Sequence, residues 1–283
     1  MKHKISWAIY GYETDPLTRQ NFTDTTNAPD THFGVFTDFT TAAAAGKLPA
    51  FTFLEPSWGA TGNSQHPNNN VTFGKDLIYK IYYALRNGPA WNNTLLIITY
   101  DEHGGCYDHV APPLGAVPPD NSAGEFGFDF KRFGPRVPAV LVSPHIAKGT
   151  VFRVPAKATP LDHTSILKTV ERRWNLPALT ARDAAASDLG AVLTLSAART
   201  DDPLHGVVVP VNAAQAPGAD KPSHLQQVHA ELVSRLPVPD AHGHTHHAMP
   251  PLKTGADYTA YIRARTNAWK ASRGGKVSSA HGH

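Results

Sequence analysis

Asp101, Glu102, His103, Asp108 and His109 crowd into one short segment, with Gly104-Gly105 in its middle. Adjacent carboxylates such as Asp101 and Glu102 repel one another unless a cation lies between them. Their oxygens are hard ligands that suit Mg²⁺, Ca²⁺ or Mn²⁺, or Zn²⁺ or iron where histidine joins them. The glycine pair lets the backbone turn sharply, so that successive side chains converge instead of alternating across a strand. The plain alternative is a solvated polar turn, because charged clusters at strand ends are common. Packing alone gives little reason for such a density of ionisable groups, which favours a metal or catalytic site.

The elements that must position this cluster are legible around it. Thr94-Leu95-Leu96-Ile97-Ile98-Thr99 is a short, β-branched apolar run, nearly continuous rather than alternating. That pattern predicts a strand covered on both faces in a parallel sheet, with its chemistry beyond the carboxyl end. Ala50 to Leu54 predicts a second strand, again followed by a carboxylate in Glu55-Pro56. Gly74 to Asn87 carries Leu77, Ile78, Ile81, Tyr82 and Leu85 at helical spacing and stops at Gly88-Pro89. Strand, helix and strand together predict a β-α-β unit with parallel strands. Arg136 to Pro144 predicts a third buried strand ending at His145, and Ile5 to Tyr10 another near the start.

Between these, residues 11–32 read as a loop, and Thr40 to Ala45 as a short helix closed by Gly46 and Pro49. His66, in a Gly/Ser/Asn/Pro loop, would by itself be a solvated histidine. Pro112 to Arg132 is a long Pro/Gly-rich loop punctuated by Phe126, Phe128 and Phe130, the kind of segment that borders a site or closes over it. Asp162 predicts an N-cap for a helix bearing Ile166, Leu167, Val170 and Trp174, with His163 equally suited to phosphate binding or to capping.

Beyond Leu179 the α/β rhythm fades. Ala184 to Ala198 predicts a short helix, Thr200 to Pro222 a Pro/Ala-rich connection, Ser223 to Leu236 a capped amphipathic helix, and Asp257 to Trp269 a last helix. His242 to His247 is a histidine-rich, low-complexity patch read as solvated tail. The fold class expected is therefore α/β, a parallel sheet flanked by helices, over residues 1–200, with a helical and irregular extension over 201–283.

The whole chain of 283 residues, 41% hydrophobic, is long enough to bury a sizeable core. A net charge of +3 with scattered Lys and Arg gives no nucleic-acid footprint. The single cysteine, Cys106, excludes an internal disulfide, and no apolar run approaches the ~20 residues of a membrane span. The first ten residues lack the apolar core and cleavage site of a signal peptide, and the compartment is not legible.

Thr99-Tyr100-Asp101-Glu102-His103-Gly104-Gly105, followed by Tyr107-Asp108-His109-Val110 and Pro112-Pro113, resembles the signature of a phosphoesterase family. That family contains bacterial non-haemolytic-type phospholipases C, plant non-specific phospholipases C and a bacterial acid phosphatase. Gly46 to Pro49, Glu55-Pro56, His66-Pro67, Trp91, Arg136-Val137-Pro138, Ser143-Pro144 and Asp162 to Ser165 resemble its further landmarks in order, over roughly residues 5–200. The resemblance implies an alkaline-phosphatase-like fold and a divalent metal beside a Ser or Thr nucleophile. It implies Asp101 and Glu102 as metal ligands and His66 at the phosphoryl group or in proton transfer. His103, Asp108 and His109 would stand near the reacting atoms. The substrate implied is a phosphoester, a phospholipid headgroup or a phosphomonoester.

Three departures qualify the likeness. Cys106 stands where the family carries an aromatic residue, and Trp58-Gly59 follows Glu55-Pro56 where a Tyr is common. The family's early Glu-Asn-x-x-Phe-Asp motif and its nucleophile are not found, and Ile5-Ser6-Trp7 resembles an internal family segment. The expectation is thus the C-terminal part of a metal-dependent phosphoester hydrolase, whose missing segment the full-length protein would supply. The alternative is a chain that folds, and binds metal, without turnover. An aryl-sulfate hydrolase is disfavoured by the lack of a Cys/Ser-x-Pro-x-Arg motif.

Overall fold

A computed structural model describes residues 4–59, 62–67, 69–209, 221–239, 244, 245, 247 and 249–277, with side chains as far as Arg273. The chain opens with β1 (Trp7–Tyr10), whose last three residues are buried. Two short helices follow, α1 (Thr18–Asn21) and α2 (Thr23–Asn27), where the sequence predicted only loop. Their stabilisation comes from afar. The Glu55 carboxylate accepts the backbone N–H groups of Leu17 and Thr18, each at 2.8 Å, satisfying donors that a helix start leaves open.

The strand β2 (Phe33–Gly34) leads into α3 (Phe36–Ala44), which begins earlier than expected because Asp38 accepts the N–H of Val35 at 2.8 Å. Then come β3 (Phe51–Leu54) and α4 (Val71–Arg86), whose start is capped by the Asn70 side chain accepting from Thr72 at 3.0 Å. The sheet has the order β2-β1-β3, all parallel, with Trp7 opposite Phe51 and Tyr10 opposite Leu54.

Next, β4 (Leu96–Thr99) and β5 (Ala139–Val142) pair with each other in a separate two-stranded sheet, and they run antiparallel. This corrects the β-α-β expectation. A continuous apolar run reports burial but not direction, and β4 meets β5 rather than β3. Leu96 pairs with Val142 and Thr99 with Ala139, and the Thr99 hydroxyl donates to the Pro138 carbonyl at 3.1 Å. Nor are these strands covered on both faces, since Val140 is 52% exposed.

α5 (Thr164–Trp174) starts one residue later than predicted. His163 takes the cap position, and Asp162 accepts from the Thr164 N–H at 2.8 Å. Left-handed Asn175 ends it. α6 (Ala181–Ala185) is the short helix expected in the Ala-rich stretch, placed slightly earlier. α7 (His224–Ser234) has the capping box that its sequence promised: Ser223 accepts from the Gln226 N–H, and Gln226 accepts from the Ser223 N–H. α8 (Gly255–Val277) starts just before the predicted helix and runs well beyond its end.

The chain forms two compact units. One joins Ser6–Pro89 to the described residues of Gly206–His283; the other contains Ala90–His205. The helices beyond Gly206 share a unit with the first strands. That unit's core contains Ala230, Val233, Leu236, Ile262 and Trp269. Arg19, fully buried, lies between the rings of Phe33 (4.1 Å) and Trp269 (4.6 Å) and pairs with Asp15 (2.8 Å) and Asp30 (2.5 Å). Helices and a parallel sheet make this an α/β fold. Among the described residues, no helix is long and apolar enough to cross a membrane.

Candidate active site

The turn after β4 holds the residues in which the sequence analysis expected the chemistry. Gly104 and Gly105 both have left-handed backbones (φ 66° and 72°), which reverse the chain between Glu102 and Asp108. Asp101, Glu102, His103 and His109 are all exposed. Glu102 folds back so that one carboxylate oxygen accepts the Gly104 N–H. His103 sets Nδ1 at 3.2 Å from the Cys106 carbonyl. A carbonyl only accepts, so Nδ1 carries the hydrogen, and in the neutral ring Nε2 presents its lone pair outward.

Asp108 is held differently. Arg136 donates to it from Nε (2.9 Å), Nη2 (2.8 Å) and its backbone N–H (3.2 Å), and Val110 adds a fourth N–H at 3.0 Å. Chiefly the Arg136 side-chain bonds, then the Val110 N–H, hold this carboxyl far below the usual carboxylate range. Such a group stays ionised and makes a poor proton carrier. Its geometry suits it to orient the turn and His109, whose Nδ1 is 3.9 Å away. At the turn's base, His163 Nε2 lies 2.7 Å from the Tyr100 carbonyl, tying the start of α5 to the end of β4.

His66 belongs to the other unit, where it is exposed and lines a shallow surface depression with Trp58, Ser64, Asn69, Ser223 and His224. Glu55, the second carboxylate at a strand end, is 3% exposed and spent on capping α1. Burial raises its pKa. It is therefore a structural acid. Arg136 and His224 escaped sequence reasoning as site neighbours, whereas His163 was weighed between phosphate binding and capping. Arg136 is 28 residues from Asp108, and no local pattern links them. The described part of the histidine patch, His244 and His247, is exposed or lies outside regular structure; its other positions fall outside the described residues.

The family resemblance implied Asp101 and Glu102 as ligands of a divalent cation. Among the described residues, however, no group of three or more His, Cys, Asp or Glu side chains converges as a metal site. With Glu102 turned onto a backbone N–H, the pair falls short of a complete coordination set.

The chain belongs to the Phosphoesterase family, whose profile matches residues 2–177. It is 41% identical over 209 residues to Non-specific phospholipase C6 of Arabidopsis thaliana, covering 69% of this chain and 40% of that protein. It is 44% identical over 170 residues to Non-specific phospholipase C3 of the same plant, covering 56% and 32%. It is 36% identical over 140 residues to Non-hemolytic phospholipase C of Burkholderia pseudomallei, covering 44% and 19%. The chain thus spans well under half the length of these curated relatives.

Proposed function

We propose that this chain contributes the acid–base turn of a phosphoester hydrolase that acts on phospholipids. The observation carrying the reading is the position of Asp101 to His109: an exposed, glycine-hinged turn inside the family-matched region. In this reading Asp101 and Glu102 are the residues facing a divalent cation and His66 serves the phosphoryl group. His103 offers Nε2 as a proton acceptor, and Asp108 with His109 completes the turn. No step is assigned to the metal, because the ligands on this turn do not complete its coordination. The chain's own contribution is orientation: Arg136 fixes Asp108, and His163 fixes the end of β4.

A second reading, a chain that folds without turnover, is favoured by the incomplete ligand set among the described residues. Hydrolysis of p-nitrophenyl phosphate and p-nitrophenyl phosphorylcholine with added Mn²⁺, Ca²⁺ or Zn²⁺ separates the two. Turnover that Asp101→Ala abolishes supports the first reading. Turnover unaffected by Asp101→Ala would overturn the assignment of the site, and none from any metal would favour the second.

A further inference from the structure

The loop that follows the acid–base turn has a feature that chemistry at the turn does not use. Its root is firmly built. Leu114 bridges Arg132, the Gly115 and Ala116 N–H groups donate to the Lys131 carbonyl, and Phe133 N–H donates to Pro113. Ala116 and Phe133 are buried there. Arg182, itself paired with Asp162 at 2.7 Å, reaches the Phe130 carbonyl at 3.2 Å and lies 4.9 Å over the Phe133 ring. The tip is closed by Gly124 N–H donating to Phe128, with the Phe130 ring packed so near that a Cβ on Gly124 would sit 3.0 Å from it. Phe128 and Phe130 meet edge to face at 5.0 Å.

On this braced tip Phe126 is fully in water, at 103% relative exposure, and its backbone is left-handed (φ 53°, ψ 27°). Bulky residues avoid that conformation, and among the described residues none covers the ring to compensate. Tyr107 (92%) and Leu114 (77%) add exposed apolar surface on the same stretch of chain. Charges of both signs nearly balance: Asp108, Asp120, Glu125 and Asp129 against Lys131, Arg132 and Arg136. This is no cationic patch of the kind that selects anionic lipid.

We infer that the Phe126 tip is an interfacial anchor that docks the protein on a zwitterionic phospholipid surface. The inference rests on the phospholipid reading above and deepens it, because it specifies how the substrate is met: as an aggregate surface. A rigid loop holding an aromatic ring outward loses little entropy on insertion. The mixed charges at its base match a headgroup that carries both signs, and they leave the apolar ring to drive binding.

The test is flotation of the full chain with phosphatidylcholine vesicles, beside hydrolysis of soluble p-nitrophenyl phosphorylcholine. Phe126→Ser should lower vesicle partitioning roughly ten- to a hundredfold, the loss expected for one buried phenylalanine side chain. Phe126→Trp should retain partitioning. Binding should change little between low and high salt, and soluble-ester activity should be the same in all three proteins. Equal partitioning of wild type and Phe126→Ser would overturn the anchor. So would a steep salt dependence with preference for phosphatidylserine, or a concentration-dependent dimer that Phe126→Ser abolishes. Vesicle binding without hydrolysis of any ester would support the anchor while overturning the hydrolase reading.

Discussion

Arg136 grips Asp108 with two side-chain nitrogens and its own backbone N–H, so the residue that begins the return to β5 fixes the turn that leaves β4. Two parallel N–H to carboxylate bonds give direction as well as attraction, and a lysine cannot reproduce them. Arg136→Lys and Arg136→Ala should therefore each cut catalysis by roughly tenfold or more, through misplacement of the turn. The midpoint of urea unfolding should barely move, because Arg136 lies mostly in water. Loss of stability with unchanged turnover would show that the pair merely braces the loop. The depressed carboxyl pKa sets the pH sense: the pair is intact above the ordinary carboxylate range and opens only as pH falls through the lowered value.

His229 on α7 is 2% exposed, and its Nε2 has no hydrogen-bond partner. Burial, partly offset by Asp15, lowers its pKa from 6.5 to about 4. The folded state thus holds it neutral while the unfolded chain protonates it. Stability is whole above pH 6.5 and falls as pH drops towards 4, by about 3 kcal/mol in all. His229→Leu should flatten this acid limb and stay within about 1 kcal/mol of wild type at pH 7, since no hydrogen bond is lost. Thermal unfolding between pH 4 and 8 reads both effects. An unchanged acid limb in the variant would remove His229 as its cause.

Glu55 has the opposite sign. Its pKa is raised, so it favours the fold below the ordinary glutamate value, and that contribution declines as pH rises through the raised one. Glu55→Ala strands the N–H groups of Leu17 and Thr18 and should cost about 2–4 kcal/mol. Glu55→Gln, which keeps one acceptor, should cost less, and the gap between wild type and Glu55→Gln should narrow with rising pH. Denaturant titration at pH 4.5 and 7.5 measures it; a gap that widens would contradict the burial argument.

Arg19 should tolerate no substitute. Lysine keeps the charge but cannot lie flat between Phe33 and Trp269 while pairing with both Asp15 and Asp30. Arg19→Ala is expected to cost about 3 kcal/mol or more, because it leaves a cavity and takes one of two cations from the buried Asp15. Arg19→Lys should recover only part of that loss in urea melts.

How much of this was legible depended on the reach of each interaction. α4 and α7 announce themselves through local spacing and caps, and Asp101 to His109 through density and two glycines. The short helices at 18–27 were invisible, because their cap, Glu55, arrives from far along the chain. The antiparallel pairing of β4 and β5 was misread, since an apolar run looks alike whichever way its neighbour points. The roles at the turn divided only in the structure. Asp108 reads as a candidate acid until Arg136 is seen holding it, and Glu55 repeats the strand–carboxylate pattern yet turns inward.

The clasp around Asp15 and Arg19 bears on how the protein is made. Lys270 and Arg273 of α8 reach Asp15 and the backbone near Asn27, and the Asp15–Lys270 contact joins residues 255 apart in sequence. While the ribosome is still working, the first strands have emerged but the helix that shields Arg19 has not. The intervening unit, Ala90–His205, has all its contacts to hand earlier. Contacts of such long range close slowly. The nascent chain therefore carries an open, aromatic-lined groove until α8 is made, and the segment holding β1 to β3 finishes folding after the unit that follows it.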